Sequence, residues 1–411
     1  MRRLVPALGV LAVLLSVWAG RVAAREELVV RAGRVHPVAS PPIDDGVVVI
    51  RDGRIAAVGA ADTTPWPRDA ELLEAAVVTP GFIDAHSSVG LSGLRNVAPV
   101  LDQDETSAPD QADLRALDAF DPRSPMLRHL LEHGVTLVQA GPGPAVPIAG
   151  QAGIFRTSGE SADAMAVRFP SALVFNLGEE PKETFGSKGG FPVTRMGTAA
   201  LVRRRLAEAR RAGRRTSWIG PAPPHDAGLE VLAQVVSGEL PALFVADRAD
   251  DIATALRISR EFGLRAQVAG GAEAYRMADT LRDAGLGLLL GPVMVRPTTP
   301  ALEYASFENA ARLAEAGVPF ALRSGFEGYV PRNRLVLFEA AVAVANGLER
   351  ADALRALTLD AARLLDVAED HGSIEAGKRA DLVLFDADPF EYTSHVGAVL
   401  VGGRVVHRRQ P

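Results

Sequence analysis

Between residues 80 and 365, short apolar runs alternate with alanine-rich amphipathic runs, and this alternation constrains the fold more than any other feature. Runs such as GVTLVQA, SALVFNLG and LPALFVA have the length and composition of buried strands, whereas DIATALRISREFG and NAARLAEAG have the apolar spacing of helices. Repeated strand and helix units predict an α/β fold with a parallel sheet. About 285 residues fit a closed (β/α)8 TIM-like barrel better than an open doubly wound sheet.

The segments on either side of this region have a different pattern, typical of β-hairpins. ELVVRAGRVHPV and GVVVIRDGRIAAVGA are alternating, β-branched runs, and Asp52-Gly53 is a tight-turn signal. The C-terminal segment repeats this pattern around Gly402-Gly403. We therefore expect residues 25–79 and 366–411 to form two parts of a small β-sandwich, packed beside a barrel over 80–365.

The N-terminus has the pattern of an export signal. Arg2 and Arg3 precede the apolar run LVPALGVLAVLLSVWAG, and small residues at Val22 and Ala24 come just before a charged segment. Residues 1–24 are therefore predicted to be a cleaved signal peptide, with the mature protein periplasmic or extracellular. An uncleaved anchor is the alternative, less favoured because the run is short and contains a proline. No second run is long enough to cross a bilayer, so no membrane contact is expected after cleavage.

Charge and composition exclude several classes of function. The chain has 44 basic and 50 acidic residues, a net charge of -6, and no concentrated basic patch, so nucleic acid is not an expected partner. It has no cysteine, which excludes disulfides, thiolate metal sites and cysteine nucleophiles. No phosphate-binding glycine loop follows a strand, which argues against nucleotide binding.

Several segments carry a resemblance to a known family. VVTPGFIDAHSS resembles the opening strand of the amidohydrolase superfamily, which has a Pro-Gly turn, an apolar pair, Asp, and then His-x-His. LTLDAARLLDVAEDHGSIEAGKRADLVLFDADP is similar to the closing segment of that superfamily. The interior segments IAGQAGIFRT, ADRADDIATALRISREFGLR and GAEAYRMAD resemble its imidazolonepropionase-like branch. The resemblance implies a barrel with one or two divalent metals at the carboxyl ends of its strands, where a metal-bound water hydrolyses carbon-nitrogen bonds.

The chain departs from the family pattern at most of the positions that hold metal. The usual four histidines and one aspartate are reduced to His86. The other positions hold Ser88 on the first strand, Val245 and Asp247 on the fifth, Gly270 on the sixth, and Arg323-Ser324-Gly325 in place of His-Thr-Asp on the last. The resemblance therefore predicts a degenerate metal site.

Two interpretations of the remaining polar residues stay open. In the first, His86, Asp84, Glu179 and Asp247 form a mixed ligand set for one divalent metal such as zinc, with Glu179 near the bridging position on the fourth strand of the family. In the second, which we favour, there is no metal or other cofactor. Asp84 and His86 then form hydrogen bonds at the strand ends, and Asp247 pairs with Arg323 or Arg248.

Arg323 matters under either interpretation. A guanidinium near a vacant cation site replaces the missing positive charge or binds a ligand carboxylate. The candidate pocket residues are then Asp84, His86, Ser88, Glu179, Asp247 and Arg323.

Three functional hypotheses follow. The preferred one is an inactive family member that binds a small-molecule or peptide-like ligand at the barrel mouth, or that pairs with an active homologous subunit. The alternative is an active hydrolase of carbon-nitrogen bonds in non-peptide or dipeptide amides, with a single metal or a rebuilt site. The third is a purely structural protein whose barrel mouth is filled by side chains such as Phe185, Phe326 and Tyr329.

Overall fold

The computed structural model describes residues 27–95, 97–187, 189–213, 225–295, 297–326 and 334–410, and its strands form two sheets. The predicted signal peptide lies outside these residues. Within them, no helix is both long and apolar enough to cross a membrane.

The strands, in chain order, are β1 (Glu27–Val35), β2 (Ile43–Arg51), β3 (Arg54–Ala60), β4 (Glu71–Pro80), β5 (Phe82–Ser87), β6 (Val135–Ala140), β7 (Ile148–Arg156), β8 (Ala166–Asn176), β9 (Ala242–Ala246), β10 (Ala266–Gly270), β11 (Gly287–Leu290), β12 (Phe320–Leu322), β13 (Leu382–Phe385), β14 (Val396–Val401) and β15 (Arg404–Arg408).

The α-helices are α1 (Ala116–Ala119), α2 (Pro125–Glu132), α3 (Ala162–Met165), α4 (Glu180–Gly186), α5 (Arg195–Gly213), α6 (Ala227–Ser237), α7 (Ala249–Phe262), α8 (Ala278–Ala284), α9 (Asn309–Glu315), α10 (Val336–Ala345), α11 (Arg350–Leu357) and α12 (Leu359–Leu364). Short 3-10 helices cover Ala98–Val100, Ala274–Met277 and Pro300–Leu302.

The eight strands from β5 to β12 lie side by side in chain order and form the predicted barrel. It closes where Ser87, at the end of β5, bridges to Gly325, which follows β12. The amide of Gly325 also donates to the carbonyl of His86, with an N···O distance of 3.0 Å. The barrel fold is therefore confirmed, and its first and last strands meet at their carboxyl ends.

One strand of the barrel departs from the all-parallel arrangement. β7 runs antiparallel to both β6 and β8, whereas the other neighbouring strands are parallel. A parallel connection needs a crossover of about a dozen residues or more, and the loops at 141–147 and 157–165 are shorter. The β6–β7–β8 segment therefore forms antiparallel hairpins.

The strands are buried on both faces, as the continuous apolar runs predict. Leu137 and Val138 are adjacent on β6, and their side chains point to opposite faces of the strand. Leu137 belongs to an inner apolar cluster within the barrel, and Val138 belongs to an outer apolar cluster between the strands and the helices. Helix α7 buries Ile252, Leu256 and Phe262 at helical spacing against the outer cluster.

The remaining seven strands form one sheet in the order β15-β14-β13-β4-β1-β2-β3. The prediction that the N- and C-terminal segments build one β domain is confirmed, since β13 runs antiparallel to β4. Asp52-Gly53 and Gly402-Gly403 form two-residue hairpin turns in which all four residues have positive φ. The two turns touch: a Cβ on Gly403 would lie 2.8 Å from the Cα of Gly53, so a larger side chain does not fit there.

Candidate functional site

A cavity of about 390 Å³ opens at the carboxyl ends of the barrel strands. Its wall includes residues at the carboxyl ends of β5, β8, β9 and β12, among them His86, Asn176, Asp247 and Arg323. Phe326 lines this cavity and leaves it open, which argues against the structural hypothesis with a filled mouth. Tyr329, named in that hypothesis, lies outside the described residues.

His86 and Arg323 form a buried pair at the base of the wall. Their residues are 4% and 6% exposed, and Nη1 of Arg323 lies 2.9 Å from Nδ1 of His86. A guanidinium can only donate, so Nδ1 accepts and the ring proton sits on Nε2. Nε of Arg323 donates to the carbonyl of Gly291 at 2.8 Å. Burial, together with the charge of Arg323, lowers the pKa of His86 to about 3, so the imidazole is neutral at physiological pH.

Asp84 joins the two strands that close the barrel. Its carboxylate accepts a hydrogen bond of 2.9 Å from the amide of Ser324 and a second from the Ser324 hydroxyl. The residue is fully buried, and this burial raises the pKa of Asp84 to about 6 although both hydrogen bonds oppose the shift. Both carboxylate oxygens are therefore engaged within the protein.

Ser88 and Glu179 differ in their relation to the cavity. Ser88 lines it and shares a hydrogen bond of 3.2 Å with the hydroxyl of Ser92. Glu179 is buried at the start of α4 and does not belong to the cavity wall, whereas its neighbour Glu180 does. The structure therefore places Glu180, next to the predicted Glu179, on the cavity wall. The chain leaves β8 at Asn176 and enters α4 after an irregular turn, so no strand spacing fixes which glutamate faces inward.

Glu180 lines the cavity and is exposed to it. Desolvation by the surrounding cavity wall is the main cause of a pKa raised to about 7, and the charges of Asp247 and Glu179 add to it. A carboxyl group of this kind can exchange a proton near neutral pH.

Asp247 also lines the cavity, but it does not pair as predicted. Among the described residues, Arg248 binds Asp250 at 2.9 Å, and Arg323 donates to His86 and Gly291. Asp247 instead accepts a hydrogen bond of 3.3 Å from the amide of Ala272. Burial raises its pKa, and the charge of Arg323 only partly opposes this.

Sequence reasoning did not identify Asn176, although a signal was present. Asn176 has the same parity along β8 as Ala172 and Val174, which pack in the inner apolar cluster, and it is the last residue of the strand. A polar residue at that position faces the mouth of a barrel.

The residues present do not fit a divalent metal. In the described part of the chain, no group of three or more histidine, aspartate or glutamate side chains is arranged to hold one. Of the four predicted ligands, His86 receives a hydrogen bond from a cation, Asp84 is engaged by Ser324, and Glu179 lies off the cavity. The structure does not bring the predicted ligand set together.

The chain is similar to known proteins in both sequence and structure. A family model described as "Amidohydrolase family" matches residues 266–407. Imidazolonepropionase from Fusobacterium nucleatum subsp. nucleatum is 23% identical, over 89% of this chain and 92% of the relative. Imidazolonepropionase from Klebsiella pneumoniae (strain 342) is 25% identical, over 92% and 95%. The crystal structure of an amidohydrolase from Thermotoga maritima MSB8 is 31% identical and superposes with a TM-score of 0.85, over 93% of this chain and 100% of that chain.

Proposed function

Because this chain belongs to the amidohydrolase superfamily, in its imidazolonepropionase-like branch, we propose that it is an exported member that binds a small molecule at the barrel mouth without metal and without hydrolysing it. The observation that carries this proposal is the buried hydrogen bond from Arg323 to Nδ1 of His86. The family consists of hydrolases, so the proposal means that this chain has kept the binding pocket and has lost the metal and the hydrolysis.

The charge of Arg323 is the main physical argument. A guanidinium stays protonated in proteins, so a fixed positive charge contacts the one histidine that matches the family pattern. A zinc ion on Nε2 of His86 would require the ring proton to move to Nδ1, which breaks the hydrogen bond from Arg323, and would lie close to a like charge in a buried site. A bound metal would lower the pKa of water from about 15.7 to about 7, and this activation, on the order of 12 kcal/mol, is absent without it.

A test of this proposal combines metal content with turnover. The protein, purified without chelator, is analysed by elemental mass spectrometry before and after incubation with zinc, and is assayed on dipeptides, N-acyl amino acids and cyclic amides. We expect metal far below one equivalent and no turnover. About one tightly held zinc per chain together with hydrolysis would overturn the proposal.

Export is tested separately by mass spectrometry of the N-terminus of the protein recovered outside the cytoplasm. A mature chain that begins near residue 25 supports export. Intact residues 1–24 on cytoplasmic protein would contradict it.

The second candidate function is an active carbon-nitrogen hydrolase with a rebuilt site, and Glu180 is the observation in its favour. A carboxyl group with a pKa of about 7, open to the cavity, suits a general base for an attacking water. If any amide in the screen is hydrolysed, Glu180→Gln should abolish turnover. Unchanged turnover in that variant would exclude Glu180 as the base.

A further inference from the structure

Three hydrogen-bond acceptors lie on one side of the cavity, where β8 and β9 end. Asn176 is the last residue of β8 and pairs with Val245 of β9, and Asp247 follows two residues later. Glu180 begins α4 after the same end of β8. Asn176, Glu180 and Asp247 all line the cavity, and the negative charge of Asp247 acts directly on Glu180.

Asn176 supplies the most specific observation. Its residue is 1% exposed, and its Nδ2 donates to the carbonyls of Gly143 and Val146 at 3.0 and 2.7 Å. These two bonds fix the orientation of the amide, so Oδ1 must be the remaining atom. Oδ1 accepts no hydrogen bond from any described residue. A buried acceptor without a donor is unfavourable, and its partial negative charge adds to the negative potential of this side of the cavity.

The side chains that line the cavity also carry more negative than positive charge. Arg323 is the one lining residue with a positive charge in the part of the chain that the structure describes. It interacts electrostatically with Asp247, Asp84 and Glu180 together. Asp251, which also lines the cavity, has its own partner in Arg195, at 3.0 Å.

We propose that the cavity binds a small organic cation, whose ammonium or amidinium nitrogen donates hydrogen bonds to Glu180 and Asp247, beside the unpaired Oδ1 of Asn176. This inference rests on the proposed metal-free binding function and specifies its ligand class. Much of the remaining wall is apolar, through residues such as Val245, Val295 and Leu302, and accepts the uncharged body of such a ligand. The volume, about 390 Å³, lies within the range of small-molecule sites.

The test uses three probes that share a benzene ring and differ in the charge of the head group: benzamidine, benzamide and benzoate. Isothermal titration calorimetry at fixed ionic strength and pH 8 measures the affinity of each for the purified protein. We expect benzamidine to bind about tenfold more tightly than benzamide, because charge-assisted hydrogen bonds are stronger than neutral ones. Benzoate should bind most weakly.

A matched pair of variants locates the site. Glu180→Gln should lower benzamidine affinity by about tenfold and leave benzamide nearly unchanged. Glu183→Gln makes the same chemical change on the exposed face of the same helix and should leave both affinities nearly unchanged. Circular dichroism of both variants confirms that they fold.

The outcomes separate this inference from the function on which it rests. Benzoate binding as tightly as benzamidine, or no benzamidine binding at millimolar concentration, would overturn the cationic ligand class while leaving the metal-free state intact. Equal loss of benzamidine affinity in both variants would overturn the assignment of Glu180. Tightly held zinc with turnover would overturn the proposed function, whatever the probes do.

Discussion

Two buried histidines of this protein differ in the charge of their partners: one contacts a carboxylate, and the other contacts a guanidinium. His371, in the segment before β13, is 4% exposed, and its Nδ1 lies 2.8 Å from the carboxylate of Asp381. The other oxygen of Asp381 accepts the amide of Gly402 at 2.7 Å. His86, equally buried at the barrel mouth, instead contacts the cation of Arg323.

The comparison teaches that burial of a polar residue does not by itself mark a functional site. Around His371 each carboxylate oxygen has a donor, so the group stabilises the terminal sheet. Beside Arg323, the cavity wall keeps an acceptor without a donor in Asn176 Oδ1, a donor without an acceptor in His86 Nε2, and more negative than positive charge. That mismatch is what a ligand would correct.

The largest expected effect is from Arg323→Met. It leaves Nδ1 of His86 and the carbonyl of Gly291 without a donor, and it removes the positive charge near Asp84 and Asp247. We expect the free energy of unfolding to fall by about 3–5 kcal/mol, measured by urea denaturation. The control is Arg128→Met, whose side chain is 82% exposed, and little change is expected there. Equal losses in the two variants would mean that the buried Arg323 contributes no more to the free energy of unfolding than the exposed Arg128 does.

A smaller loss is expected from Asp381→Asn in the terminal sheet. The amide keeps the hydrogen bond from Gly402 but replaces the carboxylate oxygen that faces His371 with a donor. We expect a loss of about 1–2 kcal/mol in the free energy of unfolding by urea denaturation at pH 8. A neutral or stabilising result would show that the histidine–carboxylate pair is not favourable, and the contrast with the barrel mouth would disappear.

The smallest effect has the opposite sign and comes from Asp247→Asn. Burial raises the pKa of Asp247, so its ionisation costs folding free energy, and this cost grows as the pH rises above the unfolded-state pKa. The variant keeps an oxygen for the amide of Ala272. We expect a gain of about 0.5–1 kcal/mol at pH 8 that shrinks as the pH falls toward about 4, the unfolded-state pKa, below which the aspartate is protonated in both states. A loss of stability at pH 8 would mean that the positive charge of Arg323 already offsets the cost of ionising the buried Asp247.

The barrel and the terminal sheet were predictable from the sequence because their signals are local. Apolar runs separated by amphipathic ones indicate barrel strands, and Asp52-Gly53 and Gly402-Gly403 are residues that tight hairpins require. The reversed direction of β7 was not predicted, since IAGQAGIFRT has the composition of a strand in either direction. Only the shortness of its two loops determines the direction.

The site was predictable in its residue types and less so in its contacts. Asp84, His86, Ser88, Asp247 and Arg323 all came from the sequence, through strand ends and the family resemblance. Their partners did not, because Arg323 and His86 are 237 residues apart and meet only when the barrel closes.

The order of the strands also has a consequence for synthesis of the chain. In the terminal sheet, β13 covers the side of β4 that faces away from β1, and the barrel closes only when Gly325 reaches the end of β5. During translation, β4 is made about 300 residues before its partner β13, and β5 is made about 240 residues before Gly325. Both strands expose unpaired backbone edges throughout that interval, which is the condition under which nascent chains associate with one another or with chaperones.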